Sequence, residues 1–153
     1  AQGGLVLDGS EGASVQFSKC CCPIPGDNII GYLGRGEGLF VHTDDCAVVK
    51  RLQQRDSERF IAVDWSDEPS RTFETILLVT VSDGKGVLAR VAAALANAEV
   101  DITHVDMGKE PANGATDLRF IVAVRDRIHL AAAIRNVKRT PSVLRVQRAK
   151  AKA

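Results

Sequence analysis

All four thiols of the chain fall close together, as Cys20, Cys21 and Cys22 in one run and Cys46 further on, with His42 four residues before the last. Thiolate and imidazole are the donors that hold zinc, usually four to a tetrahedral site. Cys20 and Cys21, a gap of 20 residues (22–41), then His42 and Cys46 as His-x3-Cys make a Cys3His set of that kind. Four protein ligands leave no position for water, so such an ion would be structural and not catalytic. Two other readings stand beside it: thiols as small buried packing residues without metal, and thiols as a redox-responsive switch. A disulfide framework is disfavoured, because the chain reads as cytoplasmic and that compartment keeps thiols reduced.

The elements that must position these ligands follow from punctuation and periodicity. Neighbouring side chains on an extended chain point to opposite faces, so Cys20 and Cys21 can share an ion only across a sharp bend. Pro23 and Pro25 are placed to hold such a bend, whereas Cys20 and Cys22 would reach one site from one face without it. Residues 5–7 and 15–17 read as short strands, and "NIIGYL" and "GLFVH" as two more around the glycine-rich turn at 34–38. Thr43 or Asp44 can cap a helix carrying Val48, Val49 and Leu52, which puts His42 at a strand end and Cys46 in the first helical turn. "FIAVDW" reads as one further strand.

Beyond residues 67–72, a polar stretch with Pro69 that reads as a linker, the pattern becomes regular. Residues 76–81 are apolar almost throughout, as in a central strand. Leu88, Val91, Ala92 and Leu95 recur at helical spacing. Residues 100–107 read as a strand and "KEPANGA" as a hairpin loop, and Leu118, Phe120, Val122 and Val124 alternate. Asp126 can cap a second helix bearing Leu130, Ile134 and Val137, and residues 143–146 form a fourth strand. The order βαββαβ is the ferredoxin-like split βαβ unit. The chain is thus expected to be α+β: a small mixed β/α zinc-finger-like domain at 1–66, a linker at 67–72 and a ferredoxin-like domain at 73–153.

Charge divides at the same place. Residues 1–70 hold 6 basic and 11 acidic side chains and residues 71–153 hold 14 and 8, so a net +1 is the sum of about −5 and +6. No apolar run approaches the ~18 residues that span a bilayer, which argues against a membrane partner. Ala1 in place of Met reads as a piece of a longer chain. No adjacent His-Asp pair suited to a phosphohydrolase and no Lys-Ser/Thr phosphate loop is visible, so the fragment is expected to have no activity of its own.

The stretch "KCCCPIPGDNIIGYLGRGEGLFVHTDDC" resembles the zinc-finger, or ribosome-intersubunit, domain of the long Rel/SpoT homologues, the bacterial (p)ppGpp synthetase/hydrolases. The family pattern is met at Lys19, Cys20, Cys21, Pro23, Ile24, Pro25, Gly26, Asp27, Gly31, Tyr32, Gly36, Gly38, Val41, His42 and Cys46. The βαββαβ unit resembles the ACT domain that closes the same proteins, and together the two resemblances cover residues 5–149. The resemblance implies zinc ligands at Cys20, Cys21, His42 and Cys46, with Cys22 an extra thiol at a variable position. It further implies a regulatory segment that senses amino-acid starvation through the ribosome and tRNA, in a parent that is a GTP pyrophosphokinase and (p)ppGpp pyrophosphohydrolase.

For the ACT unit the resemblance implies a small-ligand site at the turn after its first strand, and a homodimer. The matching residues are Asp83, Gly84, Lys85, Gly86, Val87 and Leu88, with Asp101 and Ile102 where the family carries Asn-Ile. Gly84 stands where the family often has Arg, and Val87 where it has Leu. The apolar Val87, Leu88 and Ile102 suit a branched-chain amino acid. Alternatives are an ACT-type amino-acid sensor without a ribosomal role, and the thiol switch. His104 reads as a half-buried strand residue and His129 as lying on the exposed side of the second helix. The basic residues Lys138, Arg139, Arg145, Arg148, Lys150 and Lys152 could meet phosphates or simply be solvated.

Overall fold

The computed structural model describes residues 4–82, 86–108 and 114–149. It falls into two compact units, the first running to Phe73 and the second spanning Glu74–Ala149.

The first unit has strands β1 (Leu5–Leu7), β2 (Val15–Phe17), β3 (Ile29–Leu33), β4 (Leu39–Thr43), β5 (Phe60–Ile61) and β6 (Val63–Trp65), and one α-helix, α1 (Ala47–Arg55). Four strands form a sheet in the order β2-β4-β3-β5, and β1 pairs with β6 in a separate parallel ribbon. "FIAVDW" is therefore not one strand. It divides at Ala62, Phe60 and Ile61 bonding to β3 while the next three residues bond to β1.

The period-2 alternation of β3 and β4 gives the sheet two different faces. Leu39 and Val41 join Leu7 and Val63 in an apolar core with Ile29 packed against it. The neighbouring positions turn the other way, where Ile30 packs with Cys20 and Phe60 against Cys21, Cys46 and Val49. The cysteines thus sit on the side of the sheet opposite the aliphatic core. Residues 66–73 are tied to this unit: Ser66 and Ser70 N–H groups donate to the Leu7 and Asp8 carbonyls at 2.7 Å each. Phe73 meets Phe17 and Trp65 edge-on, and the Arg71 guanidinium lies 4.7 Å from the Phe73 ring centre.

The second unit runs β7 (Phe73–Ser82), α2 (Val87–Asn97), β8 (Asp101–Met107), β9 (Ala115–Val124), α3 (Arg127–Lys138) and β10 (Val143–Ala149). The sheet order is β10-β7-β9-β8, so the first and third strands of the unit lie in the middle, as the βαββαβ pattern requires. Leu77, Val79, Phe120 and Val122 on these strands are fully buried with Val91 and Leu95 of α2. The turn expected from "KEPANGA" lies for the most part outside the described residues.

Two histidines depart from expectation. His104 is exposed and meets Asp106 at 3.2 Å instead of being half-buried. His129 is buried, not on the exposed side of α3. The reason is local: Asp126 caps α3 by accepting the His129 N–H at 2.8 Å, and the imidazole turns inward. There Nδ1 accepts from the Arg125 N–H at 3.0 Å, and Nε2 meets the Ala98 carbonyl at 2.8 Å. The ring so satisfies the chain end that follows α2.

Candidate metal centre

The loop from β2 to β3 brings the first two ligands in. The Ser18 carbonyl accepts the Cys22 N–H at 2.9 Å, closing a turn through residues 18–22, and Cys22 takes the left-handed conformation at φ 48°. This is the bend that adjacent ligands need. It sends Cys20 and Cys21 to the same side and leaves Cys22 outside, its thiol 3.6 Å from the Lys19 carbonyl. The "PIPGD" segment then locks the exit. Ile24 is fully buried, and the Asp27 carboxylate accepts the Ile24 N–H at 2.8 Å while the Asp27 N–H returns to the Ile24 carbonyl at 3.0 Å. Trp65 Nε1 donates to the Asp27 carbonyl at 3.1 Å.

The other two ligands come from the end of β4 and the start of α1. His42 occupies β4, opposite Ile30 of β3. Cys46 is the N-cap of α1, with extended backbone at φ −64°, ψ 134°, and does not lie within the first turn. The helix starts later than expected because Thr43, through its carbonyl, first takes the Cys46 N–H at 3.2 Å in a tight turn. As N-cap, Cys46 makes no side-chain hydrogen bond of full geometry to the helix, but its sulfur feels the Val48 and Val49 N–H groups of the first turn.

The four ligand atoms lie within 4.8 Å of one another. Cys20 Sγ is 3.9 Å from Cys21 Sγ, 3.6 Å from Cys46 Sγ and 3.3 Å from His42 Nδ1, and Cys21 Sγ is 3.8 Å from His42 Nδ1. Tetrahedral bonds of about 2.3 Å to sulfur and about 2.0–2.1 Å to nitrogen set ligand–ligand edges of about 3.8 Å for S···S and about 3.6 Å for S···N. The cluster therefore has the size and donor chemistry of a structural zinc site.

Its electrostatics fit a cation as well. Burial, then the proximity of Cys21 and Cys46, push the Cys20 thiol up to about 12. Burial also raises Cys21, against the Thr43 N–H, which donates to its sulfur at 3.3 Å, and the Thr43 hydroxyl. That hydroxyl leans on Cys21 without full hydrogen-bond geometry and has no other partner among the described residues. Burial lowers His42, keeping the imidazole neutral as a ligand must be. For Cys46, burial raises the thiol but is outweighed by the Val49 and Val48 N–H groups and by hydrogen bonds from Cys20 and Cys21, so the net shift is downward. Three sulfurs this close, two of them buried and one partly so, cannot all ionise alone, and a divalent cation removes that obstacle.

The ligand residues expected in the second unit are divided by the structure. Gly86, Val87 and Leu88 line a cavity of about 230 Å³ with Val81, Met107 and Leu118 among its other walls. Gly86, at φ 76°, caps α2 in a conformation that L side chains resist. Asp101 and Ile102 begin β8, whereas the cavity meets that strand at Met107. Five to six steps of extended chain at about 3.3 Å each put some 16–20 Å between these two residues and Met107. Asp83, Gly84 and Lys85 lie outside the described residues. Sequence reasoning missed Ser18, whose Oγ stands 3.2 Å from His42 Nε2. A lone serine before a cysteine run carries no signal of that contact.

Comparison with known proteins agrees with both units. The family model described as RelA/SpoT RIS domain matches residues 5–66, and that described as ACT domain matches residues 69–148. The bifunctional (p)ppGpp synthase/hydrolase SpoT of Escherichia coli is 35% identical over 149 residues, 97% of this chain and 21% of that protein. The bifunctional (p)ppGpp synthase/hydrolase RelA of Mycobacterium tuberculosis is 36% identical over 146 residues, 94% of this chain and 20% of that one. The ACT domain from GTP pyrophosphokinase of Chlorobium tepidum aligns at 13% identity with a TM-score of 0.44, covering 51% of this chain and 99% of that one. The chain spans about a fifth of the length of the curated relatives it matches. With both domain types present in order and the cysteine–histidine cluster in the first, the chain belongs to the RelA/SpoT family, as a RIS domain followed by an ACT domain.

Proposed function

We propose that the chain is a regulatory segment of a cytoplasmic (p)ppGpp synthetase/hydrolase, without catalysis of its own. Its first unit would be a docking surface toward the ribosome and tRNA, and its second a dimerising, ligand-responsive module. Together they bias synthesis against hydrolysis elsewhere in the parent. The observation that carries this reading is the succession of RIS and ACT matches along one chain whose relatives are named for both activities. Cys20, Cys21, His42 and Cys46 would hold a zinc ion, which when bound supplies a cross-link between the cysteine turn, β4 and α1. A signal can shift the parent's balance only by its differential affinity for two states, typically about 1–3 kcal/mol.

The test is sedimentation of the 153-residue chain with ribosomes, beside synthetase and hydrolase assays of a full-length parent carrying Cys46→Ser. Co-sedimentation that Cys46→Ser abolishes, with an altered activity ratio in the parent, is the expected result. A chain that stays in the supernatant and a parent with an unchanged ratio would overturn it.

A second reading, an amino-acid sensor acting through the ACT unit alone, draws on the cavity at Gly86, Val87 and Leu88. Helix N–H groups can hold a carboxylate there and the apolar walls a branched side chain. Isothermal titration with valine and isoleucine tests it, Leu88→Glu being expected to abolish any heat of binding.

A further inference from the structure

Ser18 stands outside the ligand set yet touches both parts of it that must be aligned. Its N–H donates to the Val41 carbonyl at 2.9 Å, carrying the β2–β4 pairing one residue further, to the edge of His42. Its carbonyl accepts the Cys22 N–H, closing the turn that swings Cys20 and Cys21 to one side. Its side chain is itself buried, at 9% exposure, and Oγ lies 3.2 Å from Nε2 of His42, which is 5% exposed. An imidazole that offers a lone pair on one nitrogen carries its proton on the other, and the partner of that second nitrogen fixes which is which. Nδ1 is the nitrogen that faces the sulfurs, 3.3 Å from Cys20 and 3.8 Å from Cys21. Ligation therefore requires the proton on Nε2, where the structure supplies a buried oxygen.

We propose that Ser18 is a positioning residue whose hydroxyl accepts the His42 Nε2–H, fixing the tautomer that turns the Nδ1 lone pair toward Cys20, Cys21 and Cys46. This rests on the metal-binding reading of the cluster. In Ser18→Ala the Nε2–H loses that acceptor at a buried position, so the imidazole gains by moving its proton to Nδ1, where a sulfur can accept it. Ser18→Thr keeps the oxygen. The role differs from plain packing because it predicts a change of tautomer, which filling or emptying space does not produce.

The experiment measures zinc affinity by competition with a chromophoric chelator, and the ¹⁵N imidazole spectrum of the metal-free 153-residue chain. Ser18→Ala is expected to weaken zinc by roughly 10–100-fold, the usual cost of losing an outer partner of a ligating histidine, and Ser18→Thr to restore most of it. His42 should be the Nε2–H tautomer in the unsubstituted chain and shift toward Nδ1–H in Ser18→Ala. Unchanged zinc affinity in Ser18→Ala, or an Nδ1–H tautomer in the unsubstituted chain, overturns the proposal. Failure of the unsubstituted chain to take up zinc, with the tautomer shift still seen, removes the metal reading while upholding the hydrogen bond assigned to Ser18.

Discussion

Cys20 and Cys46, one in a loop and the other at the head of a helix, hold their sulfurs 3.6 Å apart. Two thiolates at that distance repel, and the burial around them deepens the repulsion. A bound divalent ion reverses the sign. We expect about one zinc per chain by elemental analysis, retained through dialysis and lost in Cys20→Ser and Cys46→Ser. Only Cys22, turned toward the Lys19 carbonyl, should react readily with a thiol alkylating reagent in the loaded chain. Alkylation of all four thiols at equal rates would argue for the redox reading.

Without metal the same cluster gives the chain two pH limits. His42 has a folded pKa below its ordinary 6.5, through burial, so the unfolded state binds the proton more readily. Stability from this group is present above 6.5 and declines as pH falls below it. Burial raises Cys20 and Cys21 above 9.0, so their contribution is complete below 9.0 and declines as pH climbs above it, opposed in part by Cys46, whose shift is downward. Urea denaturation in the presence of chelator should show both slopes. In His42→Asn the acid slope between 6.5 and the onset of carboxylate titration should flatten, and its persistence would assign it to other groups.

Glycine-rich turns differ in what they demand, and two glycines of one turn separate the causes. Gly38 has φ 89°, and a Cβ there would stand 2.5 Å from the Ser14 carbonyl oxygen, a backbone atom that cannot step aside. Gly36 has φ 77° with nothing within 4 Å of the same added atom. Gly36→Ala should cost about 1 kcal/mol, from the left-handed conformation alone. Gly38→Ala should cost clearly more, about 3 kcal/mol or above, because clash adds to strain. Equal effects in thermal denaturation would show that the Ser14–Gly38 contact yields more easily than its geometry implies.

His129 offers a test in the second unit. His129→Leu preserves volume but strands the Arg125 N–H and the Ala98 carbonyl, each bonded to the ring at present. The expected loss is about 1 kcal/mol per group left unpaired, the lower end of the range, because both sites are only part-buried. Asp126→Ala removes only the helix cap and should cost about 1 kcal/mol. Chemical denaturation of the two variants ranks them, and a more harmful Asp126→Ala would place the cap above the imidazole in holding α3.

Much of this architecture is written in residue order. The spacing of the cysteine run, His42 and Cys46 marks the segments that converge, and alternation with helical spacing after Phe73 gives the six elements of the second unit in sequence. What escapes depends on backbone angles and on neighbours distant in the chain. Nothing in "KCCC" announces that Cys22 is the residue at positive φ, which decides between Cys21 and Cys22 as the partner of Cys20. "FIAVDW" has the composition of one strand, and only its two different bonding partners divide it. His129 looks exposed by helical position, yet the carbonyl that draws it inward lies at Ala98, a separation of 31 residues.

The division at Ala62 gives the first unit a particular vulnerability. Residues on one side of it fasten to β3, which belongs to the ligand-bearing sheet, and residues on the other fasten to β1 near the amino end. A single residue is thus the buckle between the sulfur side and the opening strand. Trimming the chain back past Leu7 would leave Val63 to Trp65 unzipped, bare Leu39 and Val41, and slacken the carbonyl of Asp27 that Trp65 grips. The cysteine loop, for all its own prolines, would then be anchored from one end only.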